Sequence, residues 1–211
     1  MNLKGIKANF LGDSITEGHG VTDTEHNIYW QRLGEACGLA EYRGYGISGT
    51  RIAIQHTVSD EPRWDLNFIS RVAEMDPDAD LIVVFGGTND FGHGDAPLGV
   101  MSDRSPYTFY GACHVLIRKL LAKYPDAQIV FMTPLHRIVE ERGERRLKDF
   151  VDAIRRVTEF YGIPVLDLYA TSGLQPQVDI IMQKFCPDGL HPNDAGQEKI
   201  YKRLRGFLES L

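Results

Sequence analysis

The stretch Ile6-Lys7-Ala8-Asn9-Phe10-Leu11, short and largely apolar, runs directly into Gly12-Asp13-Ser14-Ile15-Thr16-Glu17-Gly18. An apolar run of this length that ends in a glycine turn reads as a β-strand feeding a functional loop. Four more runs repeat the theme at residues 41–45, 80–85, 128–132 and 164–168. Longer segments of helical period separate them. In the last of these, Leu147, Phe150, Val151, Ile154, Val157 and Phe160 recur at three- and four-residue steps, while Arg145, Lys148, Asp149, Asp152, Arg155 and Arg156 occupy the other face. Gly162 is predicted to end that helix, just before Ile163 and Pro164 start the last strand. Comparable helices are predicted over residues 28–37, 64–75, 107–124 and 194–211. Strands alternating with helices predict a doubly wound α/β layer built on a parallel sheet.

Composition narrows the function classes. The chain has 211 residues, enough for one domain of ordinary size over residues 1–211, and its 43% hydrophobic content excludes disorder. Its 23 basic and 29 acidic residues leave a net charge of −6, which repels phosphate backbones and argues against nucleic acid as a partner. The cysteines Cys37, Cys113 and Cys186 are odd in number and widely spaced, which fits a reducing, cytoplasmic setting. Residues 1–10 lack the unbroken apolar stretch of a secretory signal, and no run approaches the ~20 residues of a membrane span.

In doubly wound sheets ligands bind at the carboxyl ends of the strands, so the chemistry is expected in the strand-to-helix loops. Ser14 lies in the first, with its hydroxyl free and its own N–H nearby; as a bland alternative, Asp13 or Ser14 caps a helix. Near the other end stands Asp188-Gly189-Leu190-His191-Pro192-Asn193-Asp194. A carboxylate three residues before an imidazole can reach its far nitrogen, fix the tautomer and leave the near nitrogen to accept a proton. Asp188, His191 and Asp194 could instead ligate a metal, but that spacing would need helix through Pro192. The other histidines form no spaced ligand set, so no metal is expected.

The third loop, Gly86-Gly87-Thr88-Asn89-Asp90, offers a side-chain amide to an oxyanion, or merely an Asx turn at Asn89. The second, Gly44-Tyr45-Gly46-Ile47-Ser48-Gly49, matches the dinucleotide pattern GxGxxG, yet it follows the second strand and no strand precedes the next acidic residue, Asp65. Gly46 could instead donate its N–H to an oxyanion. Together the four loops supply a nucleophile, a base, an orienting carboxylate and oxyanion donors, the parts needed for acyl transfer.

These four blocks, in order from Gly12 to His191, resemble the SGNH or GDSL-like hydrolases. The resemblance implies a three-layer α/β/α sandwich with a flavodoxin-like, parallel five-stranded sheet in the order 2-1-3-4-5. It further implies Ser14 as nucleophile, His191 as base, Asp188 as third member of a triad, and Ser14, Gly46 and Asn89 as oxyanion donors. No cofactor is implied. One departure is Gly44, where many members carry Asn; the backbone N–H at Gly46 survives that change. A small-molecule ester is the expected substrate, with acetylated carbohydrates foremost. A lysophospholipase or thioesterase activity, a silent sugar-binding protein and a nicotinamide-dependent oxidoreductase are the alternatives. No apolar amphipathic segment suggests an interfacial lid. The long loop over residues 91–106 is expected to shape the pocket, Tyr29, Trp30 and Trp64 to stack on sugars or fill the core, and residues 137–148 to form a solvated loop and helix start rather than an anion site. Cys186 is expected to be structural.

Overall fold

A computed structural model describes residues 1–211. In chain order the elements are β1 (Lys7–Gly12), α1 (Ser14–Glu17), α2 (Tyr29–Cys37), β2 (Glu41–Gly46), a 3-10 turn (Pro62–Asp65), α3 (Phe68–Arg71), β3 (Leu81–Phe85), α4 (Thr88–His93), α5 (Phe109–Lys123) and β4 (Gln128–Met132). They continue with β5 (Glu141–Arg142), β6 (Arg145–Arg146), α6 (Leu147–Phe160), β7 (Val165–Leu166), α7 (Leu168–Thr171), α8 (Asp179–Phe185) and α9 (Asp194–Ser210). The main sheet is parallel and ordered β2-β1-β3-β4-β7, the expected flavodoxin-like arrangement with β7 as its fifth strand.

The period-2 alternation of the strands divides the core between two faces. Leu11, Ile82, Val84, Ile129 and Phe131 pack toward α3, α5 and α6, among Phe68, Phe109, Leu116, Phe150 and Ile154. Ala8, Phe10, Val83, Phe85, Val130 and Met132 face the opposite layer, where Tyr29 and Leu33 of α2 meet Ile200 and Leu204 of α9. Each Val, Leu, Ile, Phe or Met among them, fully removed from water, stabilises the fold by about 1.5–3 kcal/mol before entropy is counted. Both faces of the sheet are therefore covered, which is why its central strands are apolar throughout.

Three expectations change. The helix predicted over residues 64–75 is broken, because Asn67 accepts the Ser70 N–H (3.0 Å) and starts α3 afresh, leaving a 3-10 turn before it. Residues 141–146 form a hairpin, β5 paired with β6, around Gly143 at φ +61°, a value that favours glycine in a two-residue turn. Phe160, placed by periodicity on the apolar face of α6, is 61% exposed. The predicted stop at Gly162 holds: it adopts φ +64°, and its N–H donates to Glu159 O (3.0 Å).

Candidate active site

The turn from β1 to α1 is forced by small residues. A Cβ at Gly12 would lie 1.9 Å from Thr16 Oγ1, so only glycine lets the chain turn this tightly. Asp13 Oδ1 then accepts the Ile15 N–H (3.1 Å) and caps α1, whose first residue is Ser14. Ser14 is buried, with its Oγ 3.0 Å from His191 Nε2. Two glycine-rich segments 177 residues apart in sequence thus meet.

The His191 loop is organised by Asp188. Its Oδ1 accepts the N–H groups of Leu190 (2.9 Å) and His191 (2.7 Å), and its Oδ2 sits 2.6 Å from His191 Nδ1. Burial pushes the Asp188 carboxyl up, but these three hydrogen bonds outweigh it and hold the group below its ordinary value. With Asp188 charged, Nδ1 carries the proton and Nε2 is free to accept one from Ser14. Burial lowers the His191 pKa more than Asp188 raises it, and the charges of His19 and Arg137 push the same way. The imidazole is therefore neutral at neutral pH.

The oxyanion side forms around Asn89 and the loop after β2. Asn89 is buried in the first turn of α4, and one Nδ2 hydrogen is held by Thr50 O (3.0 Å), which orients the second. Gly46 behaves differently from expectation. It closes β2, the edge strand; Ile47 N–H turns inward to Gly12 O (3.2 Å), so on an extended strand the preceding Gly46 N–H points to the outer edge. Its glycine is needed for packing, since a Cβ would lie 2.2 Å from Glu17 N. Gly49, three residues on at φ +78°, has an N–H with no acceptor in the protein.

Three side chains to which the sequence assigned no part in the site brace these loops. Buried Arg71 donates to Gly12 O (3.1 Å) and to Thr50 Oγ1 (2.9 Å), tying the Ser14 turn to the loop after β2. Burial lowers its pKa to about 10, which leaves it charged at neutral pH. Asp90 accepts the N–H groups of Ile52 (2.9 Å) and Ala53 (2.8 Å), and burial raises its carboxyl to about 6. Arg137 is also buried, which corrects the expectation of a solvated stretch; its Nη1 donates to Thr88 O (3.1 Å) and its guanidinium lies over the Phe91 ring. Only burial reveals these roles, and no spacing pattern signals them.

Asp13 carries a stability prediction. Burial pushes its carboxyl up to about 7, against an unfolded value of about 3.9. The folded chain thus keeps this proton to higher pH than the unfolded chain, and stability falls as pH rises from about 4 to about 7. Asp13→Asn retains an oxygen for the Ile15 N–H but no titration. Denaturant unfolding at pH 5 and pH 8 is expected to show wild type losing a few kcal/mol that the variant keeps.

A cavity of about 300 Å³ opens on the loop after β2, lined by Arg51, Gln55, Thr57, Trp64, His93 and Asp95 among others, and the Trp64 indole packs against Gly49. Burial, and the charges of Arg51, Arg137 and Arg142, lower His93 to about 4, so it is neutral there. Of the loop over residues 91–106, His93 and Asp95 line this cavity, whereas Leu98 and Met101 pack on the core. Trp64 lines it as well; Tyr29 and Trp30 belong to the core around Phe10. Cys186 is buried, and its thiol is pushed up to about 12 by burial, which makes it inert as a nucleophile.

Two rival readings of the motifs lose their geometry. A Cβ at Gly44 would strike the Trp30 indole (2.4 Å), and the chain after Gly49 runs through a loop to the 3-10 turn, so no helix N-terminus follows to receive a pyrophosphate. Asp194 accepts from Thr22 (3.0 Å at its N–H) and sits in the first turn of α9, capped by Asn193. The carboxylate and imidazoles that do converge are His19, Asp188 and His191, within 4.8 Å of one another, with both His191 nitrogens engaged by Ser14 and Asp188. No helix is long and apolar enough to cross a membrane.

Comparison with known proteins agrees with this architecture. The sequence profile of the GDSL-like lipase/acylhydrolase family matches residues 10–199. Among solved structures, a Lactobacillus plantarum protein is 31% identical with a TM-score of 0.85, covering 98% of each chain. A member of the lipolytic protein G-D-S-L family from Veillonella parvula DSM 2008 shares the fold at 16% identity (TM-score 0.67; 97% of this chain and 99% of that one). So does the acetyl xylan esterase AlAXEase at 18% identity (TM-score 0.63; 95% and 98%). No curated protein matches. A match over residues 10–199 that takes in all four loops means that the chain belongs to the GDSL-like lipase/acylhydrolase family, whose members are ester hydrolases.

Proposed function

We propose that this chain hydrolyses small acyl esters through a Ser14–His191–Asp188 triad, with acetyl groups on carbohydrates as the favoured substrates. The observation that carries this reading is the unbroken chain of contacts from Ser14 Oγ to His191 Nε2 (3.0 Å) and from His191 Nδ1 to Asp188 Oδ2 (2.6 Å). Ser14 Oγ attacks the ester carbonyl while His191 Nε2 takes its proton. His191 returns that proton to the departing alcohol, leaving an acyl group on Ser14. Water then attacks the acyl carbon while giving a proton to His191; the bond to Ser14 Oγ breaks, His191 returns the proton to that oxygen, and the acid leaves. Asp188 stabilises the imidazolium at each step.

The tetrahedral oxyanion is held by the Ser14 N–H, the free Nδ2 hydrogen of Asn89 and a backbone amide of the loop after β2. For that third donor we take Gly49, whose N–H is unpaired, in place of Gly46. Asn89→Ala is expected to lower kcat by about 10²- to 10³-fold with unfolding temperature little changed, since a preorganised donor acts on charge that develops only in the transition state. Turnover within threefold of wild type would remove Asn89 from the site.

The cavity lining favours a small polar substrate over a long acyl chain: Arg51, Gln55, Thr57, His93 and Asp95 share it with Trp64, an indole suited to stacking on a sugar. The acetyl xylan esterase that shares the fold supports the same substrate class. A fluorophosphonate probe followed by mass spectrometry tests the mechanism, with attachment expected at Ser14 and lost in His191→Ala. Turnover of acetylated sugars against nitrophenyl esters of increasing chain length tests the specificity, and a rise in kcat/KM with chain length would overturn it.

A further inference from the structure

We infer that Arg137 is a specificity-determining residue that receives an anionic group, a carboxylate or a phosphate, carried by the ester substrate close to the bond that is cleaved. The inference rests on the hydrolase reading above and names the kind of ester that it takes. Arg137 is 9% exposed and has no ion pair with any carboxylate of the chain. Its Nη1 is spent on Thr88 O and Thr88 Oγ1, and its Nε is buried without a partner. Nη2 bonds nothing and is not among the buried unpaired atoms, so it is an unbonded donor of this guanidinium that reaches solvent. Asp13, Glu140 and Asp188 act on it at a distance, but none pairs with it directly, and a guanidinium taken so far out of water is costly unless a contacting partner completes it.

The neighbouring carboxylates are already occupied. Glu140 contacts His136 Nδ1 (2.6 Å), Tyr169 Oη (2.9 Å) and the backbone N–H of Arg137 (3.2 Å). Asp188 is committed to His191, and Asp13 caps α1. Further positive charge adjoins it: Arg142, exposed and unpaired, acts on Arg137 and His93 alike.

That place is the reaction centre. Arg137 lies against α4, whose first turn bears Asn89, and a Cβ on Gly92 would come within 2.8 Å of its Nη1. The next residue, Ile138, donates its N–H to Gly189 O (2.8 Å) in the loop that carries Asp188 and His191. Arg137 therefore joins the helix that bears the oxyanion donor to the loop that bears the base, and a guanidinium N–H there suits a carboxylate or phosphate oxygen.

The test compares acetylated glucose with acetylated glucuronic acid and acetylated glucose 6-phosphate, alongside 4-nitrophenyl acetate as a neutral reporter. Wild type is expected to prefer at least one anionic ester over acetylated glucose by about tenfold or more in kcat/KM, expressed in KM, the size of one charge-assisted contact. Arg137→Gln should collapse that ratio and Arg137→Lys should restore part of it. Which anionic ester is preferred distinguishes carboxylate from phosphate. No preference in wild type, or a ratio that survives Arg137→Gln, overturns the inference while hydrolysis of the neutral reporter leaves the esterase reading standing. Equal losses on charged and neutral esters would mean a purely structural arginine and overturn it too. If no ester is turned over at all, the esterase reading falls and takes this inference with it.

Discussion

Ser14→Ala is expected to lower kcat on 4-nitrophenyl acetate by about five to six orders of magnitude, the scale seen when the nucleophile of such a constellation is removed. The size follows from the proposed path. Without Oγ no acyl-enzyme forms, and what remains is attack by water on a carbonyl polarised by the oxyanion donors alone. The fold should be indifferent to the change, because Ser14 Oγ hydrogen-bonds only His191 and the turn is held by Gly12, the Asp13 cap and Arg71. Unfolding temperature within a couple of degrees of wild type, together with loss of fluorophosphonate labelling, is the expected pair of results. A variant that keeps more than a hundredth of wild-type turnover would mean that another group attacks.

His191→Ala should cost nearly as much, about 10⁵-fold, since nucleophile and base act as a unit and removing either disables both. Its pH behaviour is the sharper readout. Activity of wild type requires neutral His191, so it falls as pH drops through that group's pKa. Burial, helped by His19 and Arg137, puts the acid limb of kcat/KM below the ordinary histidine value of about 6.5. Asp188 acts in the opposite direction, so Asp188→Ala should move the acid limb lower still while reducing kcat by less than the other two, because half of the Asp188 side chain is open to water that can partly replace it. An acid limb unmoved by that variant would argue that Asp188 does not interact with the base.

Local chemistry made much of this legible. The strands are apolar runs and the helices amphipathic ones, so β1, β3, β4, α5, α6 and α9 follow from periodicity to within a few residues. The helix over residues 64–75 misled because Asn67 competes for the backbone, an effect that apolar spacing does not register. The polar loops also declared themselves. Asp188 and His191 are three residues apart, near enough for one loop to bring carboxylate and imidazole together.

What the sequence alone determined, then, are the parts that depend on neighbours along the chain: the alternation of strand and helix, the glycine turns, and the chemical types waiting at the carboxyl ends of the strands. Tertiary structure decided what depends on direction and depth. It brought Ser14 to His191 across 177 residues, turned the Gly46 N–H outward while leaving that of Gly49 unpaired, and buried Arg71, Asp90 and Arg137. The reason is that an amide's aim and a charge's desolvation are set by the elements packed around it, and residues remote in sequence supply those.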